Sequence, residues 1–134
     1  MQLAPTYGDV VAEVGEFLLE RASFAVESGV RQEKIWIDPG IGFGKTDDHN
    51  LLLIREIGAL VETGYPVLLG VSRKGFLGRM LAKDGEPASV NKRMVAGLAV
   101  QSYAQLQGVC GFRTHDVRPT AELARTLSSF VRER

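Results

Sequence analysis

Ile35-Trp36-Ile37-Asp38-Pro39-Gly40-Ile41-Gly42-Phe43-Gly44-Lys45-Thr46 is a short apolar run that stops at a carboxylate and then turns through alternating glycines. Glycine reaches φ > 0 without a Cβ clash and lets backbone N–H groups approach a ligand, while Pro39 stiffens the turn after Asp38. The stretch therefore has the form strand, acid, ligand loop. Spacing excludes two nucleotide motifs. A Walker A loop needs four residues between its first Gly and Gly-Lys-Thr, whereas Gly40 and Gly44 enclose three. The dinucleotide fingerprint runs G-x-G-x-x-G, whereas Gly40, Gly42 and Gly44 run G-x-G-x-G and no helix opens directly after them.

Outward from this stretch the same form recurs. A strand over Val67–Val71 stops at Ser72-Arg73-Lys74, and a strand over Val109–Phe112 stops at Arg113-Thr114-His115-Asp116. Helical patterns fill the intervals. Asp9 caps a helix to about Glu27, with Val10, Val14, Phe17, Leu18 and Ala22 on one stripe and Gly29 as its stop. Asp47 or Asp48 caps a second helix to about Glu62, ended by Gly64 ahead of Pro66. A short helix around Phe76–Leu81 leads to the polar loop Lys83–Pro87, and Ser89 opens a third long helix to Gln107. Asp116 caps the last helix, where Pro119 in the first turn costs no interior hydrogen bond and Val117, Ala121, Ala124, Leu127 and Phe130 form the buried face. Arg132-Glu133-Arg134 reads as a frayed end. The order is α-βα-βα-βα with no two-residue hairpin turn, which predicts parallel strands joined by helical crossovers.

Bulk composition excludes several function classes. The 134 residues carry 16 acidic and 16 basic side chains, so net charge points to neither nucleic acid nor an anionic membrane as partner. No apolar run approaches ~18 residues and no signal peptide opens the chain, which leaves the cytoplasm as the expected compartment. The single cysteine, Cys110, gives no disulfide framework and is expected to be a small buried apolar side chain.

The segment around Asp38 resembles the Asp-Pro-Gly-x-Gly-Phe-Gly-Lys signature of the dihydropteroate synthases, folate-pathway members of the pterin-binding TIM-barrel family. Gly70-Val71-Ser72-Arg73-Lys74 resembles the family's Ser-Arg-Lys strand end, and Arg113-Thr114-His115-Asp116-Val117 its Arg-x-His-Asp-Val, in the same order. The resemblance covers essentially the whole chain but only the C-terminal half of the family's. A complete (β/α)₈ barrel takes ~250 residues, roughly 200 at least. The expected architecture is thus α/β: residues 1–134 as one partial domain, the C-terminal half of a TIM barrel with about three parallel strands and four long helices. Met-Gln-x-Ala-Pro at the start is similar to the segment after the family's fifth strand, so Met1 reads as a gene-call start.

The resemblance implies condensation of 6-hydroxymethyl-7,8-dihydropterin diphosphate with p-aminobenzoate, giving dihydropteroate and diphosphate. It implies that Asp38 accepts from the pterin amino and ring N–H groups and that Lys74 donates to the pterin carbonyl side. Phe43 packs beside the ring system or aminobenzoate, Arg73 helps order the site, and Leu68 and Gly70 line the pterin pocket. Arg113 and His115 hold the diphosphate. The catalytic set is Asp38, Lys74, Arg113 and His115. Independently of the family, barrels gather their chemistry at strand ends, and an ionised carboxylate that only accepts, set among cations that only donate, suits a ligand with both N–H donors and negative charge. Gly75 departs from members that carry Ser there for the aminobenzoate carboxylate.

Mg²⁺ is the implied cofactor, with its ligand in the family's first-strand region, so no residue of this chain is assigned to a metal. The full-length family implies a homodimer, and the open edges of a half-barrel favour self-association. His49 and Thr46 carry no family role; His49 reads as a surface residue and Thr46 as a helix start. Two alternatives stand beside the synthase reading. One is a methyltetrahydrofolate-binding methyltransferase domain, against which the cations Arg73, Lys74 and Arg113 speak. The other is a half-barrel remnant without catalysis.

Overall fold

Three apolar segments separated by helices meet side by side. In the computed structural model, which describes residues 6–131, strand β1 (Leu68–Leu69) pairs in parallel with β2 (Gly111–Phe112), Leu68 opposite Gly111 and Leu69 opposite Phe112. On the other side of β1, Ile37 forms a parallel bridge with Val67. The backbone ladder runs from Ile37 N–H to Pro66 C=O and from Leu68 N–H to Ile37 C=O, then from Gly111 N–H to Val67 C=O and from Arg113 N–H to Leu69 C=O. Neighbours in space are neighbours in sequence, the commonest arrangement for parallel strands joined by helical crossovers.

The expected strands are all shorter than their apolar runs. Ile35–Ile37 contributes only the bridge at Ile37, because Gln32–Lys34 winds into a 3₁₀ turn whose Gln32 carbonyl takes the Ile35 N–H. The two faces of these segments also differ. Ile37, Val67, Leu69, Val71 and Val109 lie against the helices and are buried. Trp36, by contrast, is 50% exposed, so the first segment is covered on one face only. Side chains alternate across an extended chain. Trp36 and Asp38 therefore share the opposite, open face with Leu68 and Gly70 and with Gly111 and Arg113.

Helix α1 (Val10–Glu27) begins where expected: the Asp9 carboxylate accepts from the Val11 and Ala12 N–H groups, and Gly29 follows at φ 94. Val10, Val14 and Ala22 face the core, whereas Phe17, expected on the same stripe, is 59% exposed. The second long helix is two: α2 (Asp47–Arg55) and α3 (Ile57–Val61). At the break, the Tyr103 hydroxyl from a later helix donates to the Arg55 carbonyl at 2.8 Å, and Ala59 N–H turns instead to Glu56 C=O. Its cap is Thr46 rather than Asp47 or Asp48. The Thr46 hydroxyl accepts from His49 N–H, and His49 Nδ1 accepts from Thr46 N–H, so His49 is a capping partner, with Tyr7 edge-on to its ring at 5.1 Å.

After α4 (Gly75–Met80) the polar loop turns at Asp84 and Gly85, both at positive φ. Ser89 precedes a 3₁₀ segment, Val90–Arg93, before α5 (Met94–Leu106). Helix α6 (Val117–Ser128) covers only part of the expected face: Ala124 and Leu127 are half-buried, whereas Val117 and Phe130 are each 67% exposed and Ala121 is exposed. The reason is that α6 meets α5 through a polar seam, in which the hydroxyl of buried Thr120 donates to Oε1 of buried Gln101 at 3.0 Å and Gln105 Nε2 donates to the Ala124 carbonyl. Cys110, expected to be buried, is exposed. The start at Met1–Pro5 and the end at Arg132–Arg134, for which expectations were stated, lie outside the described residues. Among the described residues no helix is long and apolar enough to cross a membrane.

Candidate active site

Each strand segment ends by delivering a polar side chain to the open face. Asp38 follows Ile37 directly, and its Oδ1 accepts from Gly40 N–H at 2.8 Å, an Asx turn that fixes the carboxylate while starting the glycine loop. Its Oδ2 lies 3.5 Å from Arg113 Nη2, reached from the end of β2. Between them Gly70 continues β1, and a Cβ built there would stand 2.8 Å from Arg113 Nη2. Any side chain at position 70 would displace the guanidinium, so glycine here is what lets Arg113 lie across the strand end.

The loop after Asp38 folds back on the second strand end. Gly42, at φ 80, is so close to Lys74 that a Cβ would stand 3.0 Å from Lys74 Cδ. This approach places Lys74 Nζ 3.5 Å from the centre of the Phe43 ring, an ammonium over an aromatic face. Lys45 turns inward and donates to the carbonyls of Gly40 (3.3 Å) and Phe43 (3.2 Å). Burial lowers the Lys45 pKa against an opposing pull from Asp38; burial and the neighbouring Arg113 lower that of Lys74, again opposed by Asp38. Asp38, Phe43, Lys74 and Arg113, far apart in sequence, thus form one contiguous patch.

A second cluster adjoins it. Arg73, at φ 59, points its fork at Asp116: Nη2 to Oδ1 is 2.7 Å and Nε to Oδ2 is 3.4 Å. This pairing raises the Arg73 pKa and holds the Asp116 carboxyl below its ordinary range. Ser72, buried, touches Asp116 Oδ2 at 3.4 Å and both the backbone N–H (3.2 Å) and Nδ1 (3.1 Å) of His115. A groove of about 570 Å³ runs past Gly70, Ser72, Lys74, Arg113 and His115. Across the Asp38–Arg113 contact, Asp38 also faces a hollow of about 440 Å³ bordered by Tyr7, Phe17 and Lys45.

Leu68 lies one step deeper, where its Cδ1 would stand 3.3 Å from a Cβ at Gly111, so it floors the open face rather than walling the groove. Asp116, expected to cap α6, holds the cap position without a side-chain cap bond because Arg73 takes its carboxylate. Asn50 went unnoticed in the sequence. It is buried, its Oδ1 accepts from Gly42 N–H at 2.7 Å, and its Nδ2 donates to Thr46 C=O at 2.8 Å, tying the glycine loop to α2. The signal was present: a lone amide before the run Leu51-Leu52-Leu53-Ile54 must find partners when buried. Among the described residues no group of three or more His, Cys, Asp or Glu side chains could hold a metal ion. The Asp38 carboxylate is already engaged by Gly40 and Arg113, so the donors present do not fit Mg²⁺.

Parallel strand segments that end in an acid, three cations and a histidine, beside a glycine loop, define an α/β protein whose polar side chains gather at the C-terminal strand ends. The chain belongs to the pterin binding enzyme family, whose model matches residues 1–115. It is 43% identical over 129 residues to a dihydropteroate synthase of Mycobacterium leprae, an alignment covering 96% of this chain and 45% of that protein. Two structures of dihydropteroate synthase from Xanthomonas albilineans superpose closely. One, with 4-aminobenzoic acid, has a TM-score of 0.87 at 36% identity and covers 94% of this chain and 45% of that one. The other, in complex with 7,8-dihydropteroate, has a TM-score of 0.85 at 37% identity and covers 96% and 48%. The chain spans about half the length of the relatives it matches.

Proposed function

We propose that this chain forms the C-terminal half of a (β/α)₈ barrel and carries pterin and diphosphate contacts of a dihydropteroate synthase, joining p-aminobenzoate to 6-hydroxymethyl-7,8-dihydropterin diphosphate. The observation that carries this reading is the convergence of Asp38, Phe43, Lys74 and Arg113 on one face above Gly42 and Gly70. The open face, with Trp36 and Leu68 beneath that patch, supports its assignment as half of a barrel interior.

In this reaction the aminobenzoate nitrogen attacks the pterin methylene carbon. The C–O bond to diphosphate breaks with its electron pair leaving on oxygen, and the nitrogen gives up a proton. The protein supplies positioning and charge rather than a covalent nucleophile. Asp38 accepts from the pterin N–H groups and supports the ring as it becomes electron-poor. Lys74 donates to the pterin carbonyl while Phe43 packs beside the ring. Arg113 offers its planar fork to the departing diphosphate and His115 borders the same groove. Arg73, already held by Asp116, keeps Nη1 for substrate and mainly fixes this strand end. Since the donors here do not fit Mg²⁺, the ion that the family implies takes its protein ligand from outside this chain. With a single cysteine and no charge imbalance, the protein suits the cytoplasm.

Asp38→Asn keeps an acceptor for Gly40 N–H but loses the charge. It should weaken 7,8-dihydropterin binding by on the order of 1.5–3 kcal/mol, roughly tenfold to a hundredfold. Lys45→Ala, whose ammonium faces loop carbonyls, should weaken it less. Calorimetric titration of the pterin into each protein gives the order, and equal affinities for the two variants would remove Asp38 from the recognition role.

A further inference from the structure

Serine has one hydrogen to donate and two lone pairs to accept with, and Ser72 Oγ meets three groups at once. Asp116 Oδ2, at 3.4 Å, belongs to a carboxylate held ionised by the Arg73 fork and can only accept. The His115 backbone N–H, at 3.2 Å, can only donate. His115 Nδ1, at 3.1 Å, could do either. If Ser72 gives its hydrogen to the carboxylate, both lone pairs remain and Nδ1 must bring a proton. If it gave the hydrogen to Nδ1, a bare Oγ lone pair would face the anion.

We propose that Ser72 and Asp116 hold the neutral His115 ring in its Nδ1–H form, so that Nε2 meets the groove as a lone pair and becomes a donor only when the ring takes a second proton. It follows that diphosphate capture by His115 is coupled to proton uptake, a step that rests on the reading of the groove as a diphosphate site. Arg73, Lys74 and Arg113 line the groove with the ring, Asp116 touches the Ser72 hydroxyl that meets it, Arg93 Nη1 donates to the Arg73 carbonyl, and Asp38 pairs with Arg113. Two carboxylates, each paired with an arginine, stand among four cations, and a bound diphosphate supplies the negative charge that an Nε2–H would answer. Ser72 and Asp116 are positioning residues in this scheme.

The chain carries its own control. His49 Nδ1 accepts from the Thr46 backbone N–H, which can only donate, so a neutral His49 carries its proton on Nε2. The two histidines of the sequence are thus expected in opposite forms. Long-range ¹H–¹⁵N correlation spectra of the whole labelled chain, recorded about two pH units above the ordinary histidine pKa of ~6.5, read this directly. His115 should show a protonated-type Nδ1 and an unprotonated-type Nε2, and His49 the reverse.

Finding both rings in the Nε2–H form overturns the proposal. Ser72→Ala should let His115 drift to a mixture of forms, and Ser72→Thr, which restores the hydroxyl, should return it to Nδ1–H. An unchanged His115 pattern in Ser72→Ala would show that the serine does not hold the ring, and constant His49 signals verify that each variant is folded. Titrating inorganic diphosphate into the wild-type chain should then move both His115 nitrogens to the protonated type. Shifts at Arg113 without that change at His115 overturn the coupling. No response anywhere in the groove overturns the diphosphate reading instead, while the ring form still stands or falls on the first spectra.

Discussion

Asn50 makes two hydrogen bonds from one buried amide, to Gly42 N–H and to Thr46 C=O, and thereby fixes the loop that sets Phe43 under Lys74. Asn50→Leu keeps the branching of the side chain but is bulkier and deletes both contacts, and it should cost at least about 1–3 kcal/mol, the range for leaving buried hydrogen-bond partners unsatisfied. A lowered urea midpoint checks this, together with faster amide exchange at Gly42 and Phe43; an unchanged midpoint and unchanged exchange would show that the loop holds itself. The positions of Asp38, Lys74, Arg113 and His115 after the strands were legible because each apolar run breaks off abruptly into polar residues, whereas the roles expected of them came from the resemblance of the motifs. Asn50 was legible only as an oddity, since its partners are backbone groups that no sequence pattern identifies.

At the scale of elements, Asp116 illustrates competition for one side chain. It stands at the N-cap position of α6, where Asp is favoured, yet Arg73, beyond the end of β1, takes both carboxylate oxygens. Helix boundaries followed from caps and glycines, as at Asp9 and Gly29, because these are local. The break between α2 and α3 was not legible, since it turns on a hydroxyl from α5. The Asp116 pKa lies below its ordinary value, chiefly through the Arg73 hydrogen bonds. A carboxylate depressed in the folded state adds stability that is complete above its unfolded pKa and is lost as pH falls through the folded one. Urea midpoints should therefore fall on acidification below the ordinary carboxylate range, and the fall should be shallower in Asp116→Asn than in wild type. Parallel curves for the two would show that the ion pair contributes nothing to acid sensitivity.

For the whole molecule, the covered and open faces of the strands decide behaviour. Ile37 and β2 present parallel edges, and Trp36 lies exposed beside them, so part of the site has no wall within residues 6–131. Positioning accounts for ~7–11 kcal/mol of the barrier in well-oriented reactions. The polypeptide Met1–Arg134 by itself should accordingly give negligible dihydropteroate formation. Activity should appear when the N-terminal half of a related synthase is added in trans. Turnover by a verified monomer at the rate of a full-length relative would overturn this expectation. The sequence by itself determined the α/β order, the parallel connection and the strand-end residues, because apolar periodicity, glycine stops and abrupt polar endings are encoded within a few neighbouring positions. Only the tertiary structure decided which side chains meet: Arg113 across Gly70 to Asp38, Lys74 over Phe43, and Ser72 between Asp116 and His115. It also decided that a buried polar contact, Thr120 to Gln101, joins α6 to α5, because long-range approach, unlike periodicity, depends on every element packed around it.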